Sequence, residues 1–371
     1  MHKKIRLATI FSGIGAIEFA FKRLGIPHEL IFACDNGERE IEYNIEKERR
    51  IVKCFKTIKE KKEYVDNLYK LKTRKHNFVQ DSYLENYNID IDRYFQDVIL
   101  LDGRDFKNKV DILVGGSPCQ SFSSVGYQAG LEDARGTLFY EYARLVLEIQ
   151  PKIFIYENVR NLLNHDNGKT WKVIKDIFDS LGYKYEYSIL NASDYGIPQT
   201  RRRLFVIGYK GKKDFIFPDK KKLKYAMQDF LLDNCGYGNF TYKKNGELNI
   251  KKSNSKVDKK YYLSPLIYKY VMKSGTKSFN QKPEIDLKVA RTLLKTMGNH
   301  HRAGVDNYIS INGKKTQGNV RMLTEREAHR LMGFTDDYKI VVSTAQAYKQ
   351  AGNSIVVDVL MEIIKALLKI M

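Results

Sequence analysis

Short apolar runs alternate with amphipathic helical stretches along residues 5–208, and this alternation constrains the fold more than any other feature of the sequence. The runs predict strands at 5–11, 29–33, 98–101, 112–114, 153–156, 185–190 and 204–208. Helical periodicity predicts helices at 15–24, 139–149 and 169–181, with a long charged helical region at 38–71. Because the strands are continuously apolar, the pattern predicts an α/β fold with a mostly parallel sheet and helices on both faces.

The amino-acid composition of the chain changes after residue 208. Lysine, asparagine and tyrosine dominate to about residue 290, and residues 245–260 are polar enough to predict a loop. Helical periodicity returns at 325–332 and 356–369. We therefore expect a first domain of residues 1–218 and 340–371, interrupted by a smaller basic domain of residues 219–339.

The formal net charge of +20 is concentrated in two segments. Residues 47–75 hold 12 lysines and arginines against 4 acids, and residues 210–277 hold 17 lysines against 6 acids. These segments carry +19 of the total, which is typical of a protein that binds a polyanion such as nucleic acid. A lysine-rich solvated surface is the alternative interpretation.

Cysteine usage and hydropathy set further limits. The four cysteines are far apart, with neither zinc-ligand nor disulfide-framework spacing, which indicates a reducing compartment and predicts no metal site. No uncharged apolar run reaches the roughly 18 residues that a membrane helix needs. We expect a soluble, cytoplasmic protein that does not contact a membrane.

A glycine turn, FSGIG at residues 11–15, joins the first predicted strand to the first predicted helix. Gly13 and Gly15 permit a tight turn and let backbone N–H groups approach a ligand. Asp35 follows the second strand, where an acid can bond a ribose hydroxyl. Glu18 replaces the third glycine of the dinucleotide fingerprint, which disfavours a pyrophosphate and leaves an adenosine ligand. A structural turn with an incidental acid is the alternative.

Two later strands are followed by reactive side chains. The segment DILVGGSPCQ places Cys119 beyond a buried strand, and ligands bind outside the carboxyl ends of parallel strands. A thiol is nucleophilic only as a thiolate, which nearby positive charge favours. Glu157 follows the strand 153–156, where burial would raise its pKa and let it donate a proton to a ring nitrogen. An inert buried thiol and a salt-bridged or helix-capping acid are the alternatives.

Two polar motifs complete the set. In PQTRRRLF, Arg201 and Arg203 share one face by strand alternation, and guanidinium groups suit a phosphate or a carbonyl oxygen. A solvated charge run is the alternative interpretation. In QAGNS, Asn353 and Ser354 open the last predicted helix, where either could also be a simple cap.

Taken together and in this order, these motifs resemble those of the bacterial DNA (cytosine-5)-methyltransferases, especially the type II restriction-modification enzymes. The resemblance covers residues 5–208 and about 289–368, and includes RMLTEREAHRLMGF at 321–334. It implies a Rossmann-like fold that uses S-adenosylmethionine as methyl donor. Residues 1–218 and 340–371 would then be the catalytic and cofactor-binding domain, and residues 219–339 the target-recognition domain.

The resemblance also implies a cofactor pocket. Asp35-Asn36 stands where the family often has Glu-Trp, and Asp102 is the expected adenine contact. The implied cofactor-binding residues are Phe11, Gly13, Gly15, Asp35, Asn36, Asp102, Pro118, Leu138, Asn353 and Ser354.

The implied chemistry begins with attack of the Cys119 thiolate at C6 of a cytosine that has been flipped out of the duplex. Glu157 would bond the ring at N3, and Arg203 with Arg201 would hold the O2 edge and a phosphate. Residues 121–136 would form a closing loop. The expected DNA-binding residues are Gln120, Ser123, Ser124, Gln199, Thr292, His300, His301 and Arg302.

The implied partner is double-stranded DNA carrying a short specific sequence. We expect a monomer that protects host DNA, with a cognate restriction endonuclease acting on the same site without direct contact. One branch of the family methylates transfer RNA, but the long lysine-rich segment favours DNA. An inactive DNA-binding regulator would be expected to lack Cys119 or Glu157, and a nicotinamide oxidoreductase would need the complete glycine fingerprint.

Overall fold

A computed structural model of the protein describes residues 4–118, 138–273, 284–298, 301–302 and 304–371. Its central sheet consists of β1 (Ile5–Ile10), β2 (His28–Cys34), β3 (Tyr94–Phe95), β4 (Ile112–Gly115), β5 (Ile153–Val159), β6 (Lys184–Asn191) and β7 (Arg202–Tyr209). The strand order is β3-β2-β1-β4-β5-β7-β6. Strands β1 to β5 are parallel, and β7 is antiparallel to both of its neighbours. The predicted mostly parallel sheet is confirmed.

Helices cover both faces of this sheet. The helices of this part of the chain are α1 (Ala16–Leu24), α2 (Ile45–Cys54), α3 (Ile58–Lys72), α4 (Phe78–Asn86), α5 (Leu138–Ile149) and α6 (Lys169–Ser180). Helices α1 and α4 pack in one core of the sheet and α5 and α6 in the other, whereas α2 and α3 share a small separate core. Alternate residues of β1 point to opposite faces, as strand geometry requires. Leu7 packs in the core that contains α1, and Ala8 and Ile10 pack in the core that contains α5 and α6.

One predicted strand is wrong, and one predicted helical region is divided into two helices. Residues 98–100 form a turn, and the strand of this region is the short β3 that precedes them. The charged region 38–71 is not one helix, because α2 ends at Cys54 and α3 begins at Ile58. A capping box starts the second helix: the Thr57 side chain accepts from the Glu60 N–H, and the Glu60 carboxylate accepts from the Thr57 N–H.

The chain between β7 and residue 343 contains short elements. They are α7 (Leu232–Cys235), β8 (Phe240–Tyr242), β9 (Leu248–Ile250), α8 (Pro265–Met272), β10 (Tyr308–Ser310), β11 (Val320–Met322) and α9 (Glu325–Arg330). The hairpin of β8 and β9 means that the predicted loop 245–260 contains a strand. The boundaries of the second domain stay a prediction.

The chain then returns to the first core. Helices α10 (Thr344–Asn353) and α11 (Val357–Leu367) follow, and α11 packs against α1. The Arg23 guanidinium is fully buried and pairs with Asp358 at 2.7 Å, which fixes the two helices together. Among the residues described, no helix combines the length and apolar character needed to cross a bilayer.

Candidate active site

The parallel strands bring the predicted site residues to one edge of the sheet. Ile10 at the end of β1 pairs with Cys34 of β2 and with Gly115 of β4, and Gly115 pairs with Tyr156 of β5. The residues that follow these strand ends therefore meet at the carboxyl edge, where open α/β sheets bind their ligands.

On the β1–β2 side, Asp35 organises the glycine turn. One carboxylate oxygen accepts from the Gly13 N–H at 2.8 Å, and the other accepts from the Gly37 N–H at 2.8 Å. Burial raises the pKa of Asp35, although both N–H donors oppose that rise. Gly13 has a φ of 53°, and no heavy atom of the described residues lies within 4 Å of the place that a Cβ would take there. The turn thus leaves open space beside the acid.

At Gly15, both the backbone conformation and a close neighbouring side chain require a glycine. It caps α1 in the left-handed conformation, and the Tyr87 ring occupies the position that a side chain would need. The Tyr87 hydroxyl also donates to the carbonyls of Ile14 and Gly15. Phe11, in contrast, is half-buried at the carboxyl edge with a φ of 52°. Gly15 therefore shapes the turn, and Gly13 and Phe11 border the open space.

On the β4–β5 side, Glu157 faces Arg203 across neighbouring antiparallel strands. The Arg203 Nε lies 3.2 Å from Oε1 of Glu157, and the two side chains are 19% and 14% exposed. Burial raises the pKa of Glu157, and the positive charges of Arg203 and Arg201 oppose that rise. A Cβ on Gly116 would lie 2.6 Å from the Glu157 carbonyl and 2.9 Å from its Oε2. A glycine is required here because the acid packs directly on the segment that leads to Cys119.

A buried hydrogen-bond network fixes the same segment. The hydroxyls of Ser117 and Tyr156 are 2.8 Å apart, and the Asn158 amide donates to the Ser117 carbonyl at 3.0 Å and to the Tyr156 hydroxyl at 2.7 Å. Sequence reasoning missed this network, although Tyr156 and Asn158 flank Glu157 in the sequence. Polar residues beside an acid at the end of an apolar strand were the available signal.

The two arginines of the RRR run have different surroundings. The Arg201 guanidinium donates to the carbonyls of Leu293, Gly352 and Ser354 at 2.8–2.9 Å. Its side chain is buried, and burial lowers its pKa to about 9. Arg201 immediately precedes β7, and its charge acts on the buried Glu157 together with that of Arg203. The geometry gives Arg201 a joining role between three chain segments, and gives Arg203 the contact with Glu157.

Gln199 lies where the same chain segments meet, and it is 0% exposed. Its side chain donates to the Leu331 carbonyl at 2.7 Å and accepts from the Leu293 N–H at 3.1 Å. The expected DNA contact of Gln199 is therefore not offered by this arrangement, because both ends of the amide are already bonded inside the protein. Thr292 is half-buried, and its hydroxyl donates to the Thr200 carbonyl at 2.5 Å.

The expected adenine acid, Asp102, is engaged elsewhere. It bonds Lys61 at 2.9 Å and Arg104 at 2.8 Å. Burial works to raise its pKa, but the bonds from Arg104 and Lys61 outweigh burial and hold that pKa well below its usual range. Asp97, two residues after β3, is the acid at the carboxyl edge. Sequence reasoning missed it because the apolar run 98–101 is more strand-like than Tyr94–Phe95.

Asp97 is buried within a cluster of hydroxyl and N–H donors. Its Oδ2 accepts from Tyr43 at 2.6 Å and from Tyr69 at 3.0 Å, and its Oδ1 accepts from the Ile99 N–H at 2.8 Å. Burial raises the pKa of Asp97, and these donors oppose that rise. The insert between β2 and β3 thus closes over this acid with two tyrosines.

The remaining cofactor candidates lie along the same edge. The Asn36 Oδ1 accepts from the Glu38 N–H at 2.9 Å, and the Asn353 amide donates to the Glu38 carboxylate at 2.7 Å. Ser354 is buried, and Leu138 is half-buried at the start of α5. Pro118 is exposed at the last position before the undescribed residues 119–137. Several predicted site residues lie outside the described part of the chain: Cys119, Gln120, Ser123, Ser124 and His300.

The other two expected base readers are half-buried. The His301 ring stacks near Tyr308 at 6.2 Å between centroids, and burial lowers the pKa of His301. The Arg302 guanidinium donates to the Thr296 hydroxyl at 2.7 Å and lies 3.5 Å from Asp306. Both side chains have protein partners in this structure, so a base contact by either stays a prediction.

Comparison with known proteins identifies the family. Residues 70–369 match the family described as C-5 cytosine-specific DNA methylase. The chain therefore belongs to this family and is a DNA (cytosine-5)-methyltransferase, as the ordered motifs predict.

Relatives and solved structures agree with this assignment. The type II methyltransferase M.SsoII of Shigella sonnei is 34% identical over 300 residues, which are 76% of this chain and 69% of that protein. M.HhaI of Haemophilus parahaemolyticus is 35% identical over 253 residues, 67% of this chain and 73% of that protein. The crystal structure of the S. pombe Dnmt2 methyltransferase covers 99% of both chains with a TM-score of 0.66 and 16% identity, which shows the shared fold.

Proposed function

We propose that the protein transfers a methyl group from S-adenosylmethionine to C5 of a flipped-out cytosine within a short specific duplex sequence, through a covalent bond between Cys119 and C6. The observation that carries the proposal is the contact of Glu157 with Arg203 on one side and with Gly116 on the other. This contact places a buried acid and a guanidinium beside the segment that leads into Cys119.

The β1–β2 side of the edge suits the adenosine part of the donor. Each carboxylate oxygen of Asp35 accepts one backbone bond and keeps a second acceptor site, which a ribose hydroxyl can use. The open space beside Gly13, together with the half-buried Phe11 and Leu138, can accept an apolar or aromatic group. Asp97 follows β3 by two residues, whereas Asp102 is bonded to Lys61 and Arg104, so we propose that the segment at Asp97 forms the adenine side of the pocket.

When bound, S-adenosylmethionine supplies an electrophilic methyl group on a sulfonium. Cytosine C5 becomes nucleophilic when the Cys119 thiolate adds to C6, because the electron pair of the C5–C6 double bond is then available at C5. Glu157, whose pKa burial raises, donates a proton or hydrogen bond at N3, and Arg203 holds the O2 edge. Loss of the C5 proton returns its electron pair to the ring, and Cys119 leaves as the thiolate.

Arg201 acts on this reaction through position and not through contact. Its bonds to Leu293 and Ser354 join the segment before β7 to the end of α10 and to the expected target-recognition segment. We propose that residues 219–339 read the DNA sequence and that the protein works as a monomer. The type II names of M.SsoII and M.HhaI support a role in protecting host DNA from an endonuclease of the same specificity.

Methyl transfer from labelled S-adenosylmethionine to unmethylated genomic DNA and to total RNA tests the proposal. We expect label at C5 of cytosine within one short DNA sequence, located by base-resolution mapping. Label confined to RNA would overturn the substrate, and label at another atom would overturn the chemistry. DNA methylated in this way should resist an endonuclease that cuts the mapped sequence.

The Cys119→Ala variant tests the covalent step. We expect it to bind DNA and cofactor normally and to lose methyl transfer. Cys54→Ala is the matched control, because Cys54 is an exposed cysteine at the end of α2, outside the proposed site. Normal turnover by Cys119→Ala would remove the nucleophile from the mechanism.

A further inference from the structure

Residues 70–76, which are the last residues of α3 and the segment that follows it, carry unneutralised positive charge and are called here the basic connector. Lys70, Lys72, Arg74 and Lys75 are all exposed. Within the described ranges, none of these four forms an ion pair with a carboxylate. Leu71 between them is 84% exposed, so the connector projects from the surface.

The other end of α3 is different, which makes the contrast informative. Lys59 pairs with Glu63 at 4.0 Å, Lys61 with Asp105 at 2.8 Å, and Lys62 with Asp66 at 2.5 Å. A helix whose lysines are all simply solvated is not expected to have ion-paired lysines at one end and unpaired cations at the other. Within the described residues, ion pairing of the α3 lysines stops before the last turn of the helix, where the connector begins.

Two hydrogen bonds anchor the connector at the carboxyl edge of the sheet. Immediately before it, the Tyr69 hydroxyl donates to Asp97, which follows β3. Immediately after it, the Asn77 amide donates to the Asp35 carbonyl at 3.0 Å, just beyond β2. The Gln350 amide of α10 donates to the Phe78 carbonyl at 2.9 Å and holds the start of α4 at the same edge. The connector therefore lies on the edge that also carries Glu157.

The distance across this edge fits a DNA duplex. Strands β2 and β5 are separated by β1 and β4, so their carboxyl ends are about 14 Å apart at ~4.8 Å per strand. That length corresponds to about four base pairs at ~3.4 Å per step. A duplex whose target cytosine reaches Glu157 can place backbone phosphates near the connector.

We propose that the basic connector binds the phosphate backbone of duplex DNA about four base pairs from the target cytosine, on one flank only. The inference rests on the proposed function, because it takes Glu157 as the position of the target base. Lysine and arginine contacts to phosphates carry no sequence information, so the connector adds affinity and orientation and leaves the recognised sequence unchanged.

The experiment compares two four-residue variants of the full chain. The connector variant is Lys70→Gln, Lys72→Gln, Arg74→Gln and Lys75→Gln. The control variant replaces four exposed lysines at the opposite, amino edge of the sheet with glutamine: Lys107, Lys109, Lys212 and Lys213. The two variants lose the same charge, so overall electrostatics is matched and only the position differs.

Binding to a fluorescein-labelled 30-base-pair duplex of mixed sequence is measured by anisotropy at several salt concentrations. Each phosphate contact contributes about 0.9 to the slope of log affinity against log salt. We expect the connector variant to lose up to about 3.6 of this slope, and the control variant to keep the wild-type slope. Equal slopes in all three proteins, or equal losses in both variants, would overturn the proposal.

Two further measurements separate this inference from the proposed function. At saturating duplex, the connector variant should methylate with the wild-type kcat and a raised KM for DNA. If the wild type transferred no methyl group, the proposed function would fail, whereas the salt slopes would still decide the connector. A slope change seen with a 30-nucleotide RNA hairpin but not with the DNA duplex would overturn DNA as the partner.

Discussion

The acids in the two halves of the sheet's carboxyl edge have different hydrogen-bond and ion-pair partners. On the β2–β3 side, Asp97 and Asp102 are enclosed by donors, which include two tyrosine hydroxyls for Asp97 and Lys61 with Arg104 for Asp102. On the β4–β5 side, Glu157 faces the Arg203 guanidinium from the neighbouring strand. The first arrangement stabilises the insert, and the second leaves an acid beside a partly exposed cation.

This difference separates an acid that is held by several hydrogen-bond donors from an acid that faces cations. The position of the first kind is fixed by the groups that donate to it. Glu157 is of the second kind: it is buried beside Arg203, the charge of Arg201 also acts on it, and burial raises its pKa toward the range in which it can hold a proton. The partners of the acids at a sheet edge therefore indicate the roles of those acids better than the number of acids does.

The largest expected effect is on catalysis by Glu157. Glu157→Gln keeps the shape of the side chain but removes its charge and its exchangeable carboxyl proton, so kcat should fall by about 10²- to 10⁴-fold. Single-turnover methyl transfer measures this fall without interference from product release. The control is Glu186→Gln, an exposed acid on β6, which should leave kcat unchanged. Wild-type kinetics in Glu157→Gln would remove the distinction between the two halves.

The next effect separates the two arginines. Arg201→Met leaves three buried carbonyls without their donor, so the free energy of unfolding should fall by about 3 kcal/mol or more. Arg203→Met removes the ion pair with Glu157, and the acid, whose pKa burial raises, can then take up a proton. Stability should therefore fall by less than in Arg201→Met, while kcat falls. Denaturant titration and methyl transfer measured on both variants check this. The same loss of stability in both would contradict the assignment of different roles.

The sequence predicted most of the sheet and the positions of Glu157 and Arg203 in neighbouring strands of it, whereas their roles stay a prediction. Strand-end motifs are local, so Glu157 and Arg203 could be assigned from the apolar runs beside them. The end of the insert between β2 and β3 could not be predicted in this way, because β3 has only two residues and the turn that follows it is more apolar. For that reason the prediction from sequence names Asp102 and misses Asp97. The bonding partners of Arg201 could not be predicted either, because they lie about 90 to 150 residues away in the sequence.

A third prediction concerns Glu18, a buried acid in the first turn of α1, the helix that follows β1. Its Oε1 accepts from the Tyr83 hydroxyl at 2.5 Å, and burial raises its pKa to about 7. The folded state therefore holds a proton that the unfolded chain releases near pH 4.3, so stability falls as pH rises from about 4.5 to 7. The full loss should be about 3–4 kcal/mol.

Denaturant titrations of wild type and Glu18→Gln between pH 5 and pH 8 measure this loss. The amide stays neutral throughout, so the difference in stability between the two proteins should grow in favour of Glu18→Gln as pH rises. All other ionisable groups are the same in the two proteins, so their contributions cancel in the comparison. A difference that stays constant with pH would show that Glu18 is ionised in the folded state across the whole range.

The smallest effect tests whether the β4–β5 half depends on its buried hydroxyl. Tyr156→Phe removes the partner of the Ser117 hydroxyl and one acceptor of the Asn158 amide, so stability should fall by about 1–2 kcal/mol. Since Ser117 lies two residues before Cys119, kcat should also fall, by a factor of about 3 to 10 if about 1 kcal/mol of positioning is lost.

Tyr142→Phe is the control for this change. Tyr142 is fully buried in the same core, with its ring 4.9 Å from that of Tyr156, but its hydroxyl has no hydrogen-bond partner among the described residues. Removing an unpaired buried hydroxyl should leave kcat unchanged and keep or increase stability. If both tyrosine variants changed kcat equally, the effect would come from core packing. A fall in kcat confined to Tyr156→Phe would show that the hydroxyl network positions the segment before Cys119.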